Sequence, residues 1–326
     1  MRLVRQNDKK SAKCAGVGRR AERSGGAVKH VRGAGPTSGA RAALTVLAVT
    51  ALASGCTEAA VRGAHGQQPL KGPQARALDE YDTKSRASYA QRAAAAKRWG
   101  LEKVPLVAPP PPAKKPVITF RKGFEVRNGD GLPPVFTTVP TANRVVFLTV
   151  DDGAEKDPAF LRMMSDLKIP YTAFLSDYLV KEDYGYFRRM RDLGVTLNNH
   201  TLHHPYLPGL SYEEQRQEIC GMQDVMRKQF GRSPTVFRPP YGNYNGDTLR
   251  AARSCGIKYA PIWNEEVFVD HWEYRELDHG LHPGDIVLTH FRGRSEWKGT
   301  MPDMIRRFLK KVTGEGYAVA RLEDYL

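Results

Sequence analysis

At 326 residues the chain is long enough for one large or two ordinary domains with a sizeable core. Its formal charge of +15 invites a nucleic-acid partner, but the charge is lopsided: residues 141–326 hold 25 Lys and Arg against 26 Asp and Glu, and the first 140 hold 25 against 9. The C-terminal part is close to neutral, which argues against nucleic acid, and the basicity belongs to the segments ahead of it.

The leader, residues 1–56, contains Arg41, an apolar run from Ala42 to Ala53, and then Ser54-Gly55-Cys56. A run of about a dozen residues is too short to span a hydrocarbon core of ~30 Å, and its small-residue end is that of an export signal. Leu52-Ala53-Ser54-Gly55-Cys56 resembles a lipobox, with Ala53 where leucine is usual. The resemblance implies a lipid on Cys56 and a place on the outer face of the cell membrane. Cleavage without lipidation, giving a secreted protein, is the alternative. The forty residues before Arg41 are basic and Gly-rich, long for an n-region, which suggests a translation start nearer Val28 or Val31. Arg19-Arg20 lies too far from the apolar run for a twin-arginine signal.

Residues 57–115 read as a stalk. Pro73 to Gly100 is rich in Ala, Arg, Lys and Gln without a sustained apolar stripe, as in a solvated helix or loose linker. Pro109 to Pro112, followed by Lys114-Lys115, predicts stiff polyproline.

From residue 116 to 326 the pattern is that of a folded domain. Val117–Phe120 and Pro134–Thr138 flank Asn128-Gly129-Asp130-Gly131, which predicts a hairpin. Strands and helices then alternate. Strands are expected at Val145–Val150, Tyr171–Leu175, Val195–Asn198, Thr235–Phe237, Tyr259–Ile262, Ile286–Thr289 and Tyr317–Ala320. Helices are expected at Pro158–Leu167, Asp183–Leu193, Ser211–Phe230, Asp247–Cys255 and Pro302–Val312, with a capping box at Ser211/Glu214 and stops at Gly256 and Gly314. Repeated βα units mean a parallel sheet, open or closed into a barrel. Cys220 and Cys255 are the two cysteines left once Cys14 goes with the leader and Cys56 with the anchor; outside the cytoplasm they can bridge, or they are two buried thiols.

The reactive side chains fall after strands. Asp151-Asp152 follows Val145–Val150; His200-Thr-Leu-His-His204-Pro205 follows Val195–Asn198; Arg238-Pro-Pro-Tyr241-Gly242 follows Thr235–Phe237. Trp263 and Glu265-Glu266 follow Tyr259–Ile262, and His290 follows Ile286–Thr289. In an α/β barrel the strand C-termini form the face where active sites are built. Two adjacent carboxylates at a buried strand end need a cation or hydrogen-bond donors to offset lost hydration. His200 and His204, four apart, would share one face of a helical turn, and with Asp152 they make a two-histidine, one-carboxylate set with positions open for water. His203 would point elsewhere. Trp263, Tyr241 and Trp297 could line a sugar cleft or pack as wall residues.

Thr149-Val-Asp-Asp-Gly153, His200-Thr-x-x-His204-Pro205, Arg238-Pro-Pro-Tyr-Gly242 and Leu288-Thr-His290, in that order, resemble the motifs of the polysaccharide deacetylases, the NodB-homology family also called carbohydrate esterase family 4. The resemblance implies a distorted (β/α) barrel and metal-dependent removal of acetyl groups from N- or O-acetylated glycans such as peptidoglycan or chitin. It makes Asp151 the general base, Asp152, His200 and His204 the ligands of a divalent ion (zinc, or cobalt), Arg238 the partner of the base and His290 the general acid. Two departures stand out: Val150 replaces a phenylalanine, and Glu266 occupies the place of the aspartate expected beside the acid histidine, with Asp270 as a second candidate. The altered carboxylate leaves a carbohydrate-binding protein without turnover as the alternative. A phosphoesterase would need more converging carboxylates and histidines than these.

Overall fold

A computed structural model of the protein describes residues 73–326. The expected leader, Cys56 and the first part of the stalk lie outside the described residues. In chain order the elements are α1 (Pro73–Arg98), β1 (Val135–Phe136), β2 (Val145–Asp152), α2 (Pro158–Leu167), β3 (Thr172–Leu175), α3 (Asp177–Val180), α4 (Tyr184–Asp192) and β4 (Thr196–Asn199). They continue with α5 (Tyr212–Phe230), α6 (Gly246–Ser254), β5 (Ala260–Pro261), β6 (Glu265–Val267), β7 (Trp272–Tyr274), β8 (Ile286–His290), α7 (Met301–Gly314) and β9 (Ala318–Val319). No described helix is long and apolar enough to cross a membrane.

β2 is buried at all eight positions, because its β-branched and apolar residues face helices on one side and the interior of the sheet on the other. It pairs in parallel with β3 and β8, and its first residues pair with β9. The sheet runs β4-β3-β2-β8-β6-β7, parallel except for β6 with β7. Register places Asp151 opposite Phe174 on one side and His290 on the other, so two reactive groups from segments 139 residues apart share one sheet end.

Beyond β4 the circuit continues only by single bridges, Asn199 to Phe237 and Val236 to Tyr259, and β1 pairs separately with β5. The ring of strands is therefore open rather than a closed barrel. Proline explains the gap, since Pro234, Pro239, Pro240 and Pro261 have no N–H to donate to a ladder.

The helices follow their local signals. Asp157 accepts from the Ala159 N–H at 2.8 Å with Pro158 at the first helical position, and α2 buries Phe160, Leu161, Met163, Met164 and Leu167. Phe160 is fully enclosed beside Tyr171 and Phe291, so truncating it to alanine is expected to cost about 3–5 kcal/mol. Ser211 and Glu214 form the capping box of α5, which ends at Gly231 with φ 83°. Cys220 and Cys255 are bridged, with Cα atoms 5.1 Å apart, tying α5 to the end of α6.

Three expectations change. No hairpin forms before residue 138: residues 117–120 carry no strand, Arg121 N–H donates once to the Val135 carbonyl, and β1 turns instead to β5. Phe120, Phe124, Val126 and Leu132 pack over Val135, Leu249, Ala260 and Ile262, so burying these side chains outweighs a local ladder. β6 and β7 are additional strands. Finally, the segment read as a solvated stalk lies against the α/β body in its second half: Ala95 and Ala96 are buried, Trp99 Nε1 donates to Asp166 at 2.9 Å, and Leu106 bridges to Ala318.

Candidate metal and catalytic site

Asp152 ends β2 with φ 81° and is followed by Gly153 with φ 96°. A Cβ on Gly153 would come 2.4 Å from Val180 Cγ1, so only glycine fits this turn. The turn sends the two aspartates to different partners. Asp152 Oδ1 lies 3.5 Å from His200 Nε2 and 3.4 Å from His204 Nε2, is buried, and has no hydrogen-bond partner. One donor atom from each of the three lies within 4.8 Å of the others.

The two imidazoles do not reach this point from a helical turn. The chain after β4 is irregular, with left-handed backbone at Thr201 (φ 72°) and His204 (φ 56°). Asn199 Oδ1 holds the Thr201 N–H at 2.9 Å and Thr201 Oγ1 holds the His204 N–H at 3.0 Å. The convergence comes from a side-chain-braced loop. His200 Nδ1 is 2.7 Å from the Arg238 carbonyl, which makes that nitrogen the N–H and leaves the Nε2 lone pair facing Asp152. His203 points away, exposed, to Glu218.

Asp151 turns to Arg238. The guanidinium is fully buried and its Nη1 donates to Asp151 Oδ1 and to Thr149 Oγ1, each at 2.8 Å. Nε donates to the Pro261 carbonyl at 3.0 Å, and the cation lies 4.3 Å from the Phe174 ring centroid. Burial pushes the Asp151 carboxyl up, against the opposing charges of Arg238, His200 and His290. Asp152 moves the other way: burial opposes its charge, but His200, His290 and His204 hold it well below the usual carboxylate range. Burial and the neighbouring His200 bring His204 down to about 3, which keeps it neutral and free to act as a ligand.

His290, at the end of β8, has Nδ1 3.1 Å from Glu266 Oε1, off the line of a hydrogen bond but within ion-pair reach. Burial disfavours the imidazolium, yet Glu266, Asp152 and Asp151 together push it up to about 9. Asp270 stands elsewhere, exposed and paired with His271 at 2.7 Å. Tyr241, with φ 61°, is 46% exposed and its ring centroid is 4.5 Å from that of His204, at the mouth of the site. Trp263 is half-buried between Arg238 and Arg275 and lies against Gly242, a wall position; Trp297 packs near Phe268.

Two further residues complete the surroundings. Arg292 Nη2 donates to Asp152 Oδ2 at 2.7 Å while its Nε holds Glu296 at 2.9 Å. It sits two residues past His290, so the rule that selects strand C-termini could have found it. Tyr178, partly exposed, senses Asp152, Arg292 and Tyr241; it follows β3 in Ser176-Asp177-Tyr178, so the same rule points to it.

A sequence profile described as Polysaccharide deacetylase matches residues 138–260. The chain is 42% identical over 199 residues to the uncharacterised protein SCO4760 of Streptomyces coelicolor, covering 61% of this chain and 79% of that one. It is 29% identical over 205 residues to the peptidoglycan-N-acetylmuramic acid deacetylase PdaC of Bacillus subtilis, covering 59% of this chain and 41% of PdaC. PdaA of the same organism, also a peptidoglycan-N-acetylmuramic acid deacetylase, is 26% identical over 198 residues, with 57% of this chain and 73% of PdaA covered. Among solved structures, the Bc1960 peptidoglycan N-acetylglucosamine deacetylase superposes with a TM-score of 0.52 at 22% identity, over 59% of this chain and 92% of that one. BA3943 of Bacillus anthracis, a pseudoenzyme of carbohydrate esterase family 4, gives 0.51 at 21%, over 62% and 72%. At these identities the structural likeness establishes the fold alone. With the family profile over the segment that carries Asp151, Asp152, His200, His204 and Arg238, and the extent of the match to the Streptomyces protein, the chain belongs to the polysaccharide deacetylase family of hydrolases.

Proposed function

We propose that the chain is a metal-dependent N-deacetylase of cell-wall glycan, with peptidoglycan as its substrate class and acetate as a product. The observation that carries this is Asp152 Oδ1, buried, without a hydrogen-bond partner and facing the Nε2 atoms of two imidazoles. An orphaned carboxylate oxygen in that setting calls for a cation. Two imidazoles and one carboxylate fit a divalent ion of the zinc or cobalt type and leave positions open. Such an ion, when bound, supplies a more acidic water and polarises the acetyl carbonyl.

The chain's own residues do the rest. Asp151, ionised and oriented by Arg238, takes a proton from the attacking water as the new C–O bond forms. The main-chain N–H of Tyr241 is the proposed donor to the developing oxyanion. The C–N bond then breaks, and because an amine leaves badly as an anion, His290 gives its proton to that nitrogen. Its Nδ1 faces Glu266, so Nε2 is the donor. The products are acetate and a free amino sugar. The names of PdaC and PdaA support peptidoglycan as the polymer. Export and a lipid anchor at Cys56 are proposed from the sequence, and the mass of the mature N-terminal fragment tests them.

The deciding experiment is acetate release across peptidoglycan fragments, chitin oligomers and acetylated xylan, with and without a chelator. Release from peptidoglycan, lost on chelation and restored by zinc or cobalt, is expected. Tight sugar binding with no acetate would replace this reading by the carbohydrate-binding one.

A further inference from the structure

Glu265 and Glu266 are neighbours on β6, and successive side chains of a strand leave on opposite faces. Glu266 turns to His290. Glu265 turns the other way, is 1% exposed, and its Oε2 has no hydrogen-bond partner. There it meets Asp285, also 1% exposed, and His282; one donor atom from each of the three lies within 4.8 Å of the others.

Each ligand atom is prepared. Asp285 Oδ1 accepts from Thr138 Oγ1 at 3.0 Å and from Asn264 Nδ2 at 3.2 Å, which fixes the carboxylate plane. Its Oδ2 accepts from the His282 N–H at 2.6 Å and lies 3.2 Å from His282 Nδ1. On the far side of the ring, Nε2 is 2.9 Å from Asp278 Oδ2. Each ring nitrogen of His282 thus faces a carboxylate; a cation replacing the proton on the Asp285 side would leave the Nε2–H on Asp278, the arrangement by which a carboxylate orients a metal-binding histidine.

The cations nearby are committed elsewhere. Lys311 holds Glu315 at 2.6 Å and lies over the Trp272 and Tyr274 rings; Arg121 bonds Asn264, Thr137 and Glu276; Arg275 donates to the Trp263 carbonyl. Among the described residues no Lys or Arg forms an ion pair with Glu265 or Asp285. Two buried carboxylates side by side, one with an orphaned oxygen, are left with a single imidazole between them and water.

The geometry points to a second divalent-cation site, made by Glu265, Asp285 and His282 and taking an ion of the zinc class. It stands independently of the deacetylase reading. Asp285 precedes β8 and His290 ends it, so the site lies roughly 16 Å along the strand from the catalytic imidazole, at the opposite edge of the sheet. It touches no reacting atom. Its work is to clamp β6 onto the entry to β8, where Glu265 is in register with Val287 and Glu266 with Leu288, and so to hold Glu266 at His290. Glu266 is a positioning residue, and the ion would position it in turn.

The test is zinc content by mass spectrometry of the full chain, stripped with chelator and reloaded with Zn2+. Two equivalents are expected in the wild type, and one in each of His282→Gln, Glu265→Gln and His204→Gln. Zinc should still raise the melting temperature of His204→Gln and should raise it in His282→Gln only through the catalytic set. His282 is half-exposed, so its variant folds even where Glu265→Gln does not, and circular dichroism checks both. One equivalent in the wild type, lost in His204→Gln and kept in His282→Gln, would overturn the proposal and leave Glu265 and Asp285 sharing a proton instead.

Discussion

The ring of His200 and the main-chain carbonyl of Arg238 meet at 2.7 Å across 38 residues of sequence. Arg238 thereby serves both halves of the site with different atoms, its carbonyl setting the tautomer of one imidazole and its guanidinium holding Asp151. Arg238→Met removes only the second. It strands a buried carboxylate, so a loss of about 3–5 kcal/mol in urea unfolding is expected, with zinc bound at the catalytic set unchanged. A loss below ~1 kcal/mol would mean that Asp151 finds another partner.

Asp151→Asn keeps the shape of the proposed base and removes its ability to take a proton. Acetate release should fall by roughly 10²–10⁴-fold while the metal content stays the same. Full activity in this variant would take Asp151 out of the reaction.

The pH profile should be a bell with identifiable limbs. In the proposed reaction Asp151 is ionised, and burial raises its pKa, so the acid limb lies above the ordinary aspartate range as pH falls. The same reaction needs His290 protonated, and it is pushed up to about 9, so activity should be lost as pH rises past that value. Glu266→Gln removes the charge that raises His290 against its burial, and the alkaline limb should move down by about one unit or more. An alkaline limb that stays in place would assign it to another group.

How much of this could be read from the chain differs between residues. The strand Val145–Val150 and the helices at Pro158, Ser211 and Pro302 announce themselves because burial pattern and caps agree there. The reactive residues were legible for the same reason: each follows a strand, and sheet register collects strand ends whatever their distance in sequence. The turn at Thr201 and His204 was not legible, because four-residue spacing is equally the signature of a helix, and only Asn199 and Thr201 side-chain bonds to the backbone decide otherwise. β6 was missed because Glu-Glu-Val reads as a solvated loop. Both glutamates are buried, one for His290 and one for the Asp285 cluster, and functional sites are where local preference is overruled.

Arg292 grips Asp152 Oδ2 and so turns Oδ1 toward the imidazoles, but its charge also opposes a cation there. Because Glu296 already neutralises much of that charge, orientation should dominate. Arg292→Gln is expected to weaken zinc binding at the catalytic set by roughly 10-fold, measured by competition with a chromophoric chelator. Tighter binding would show that repulsion prevails.

The Cys220–Cys255 bridge closes a loop of 35 residues between α5 and α6. Its reduction should lower stability by about 3–4 kcal/mol, with no free thiol among these two in the oxidised protein. Two titratable thiols before reduction would refute the bridge.

The docked end of α1 bears on where the enzyme can work. Twenty-six residues of helix make a rod of roughly 39 Å, and Ala95, Ala96 and Trp99 fasten one end of it to the body, so these residues lead away from the body along a fixed line. Removing two turns from the N-terminal half of this rod shortens it by about 11 Å. Under the proposed anchor at Cys56 and the proposed activity on wall glycan, the depth of wall reached should shrink with it, while turnover on soluble fragments stays the same.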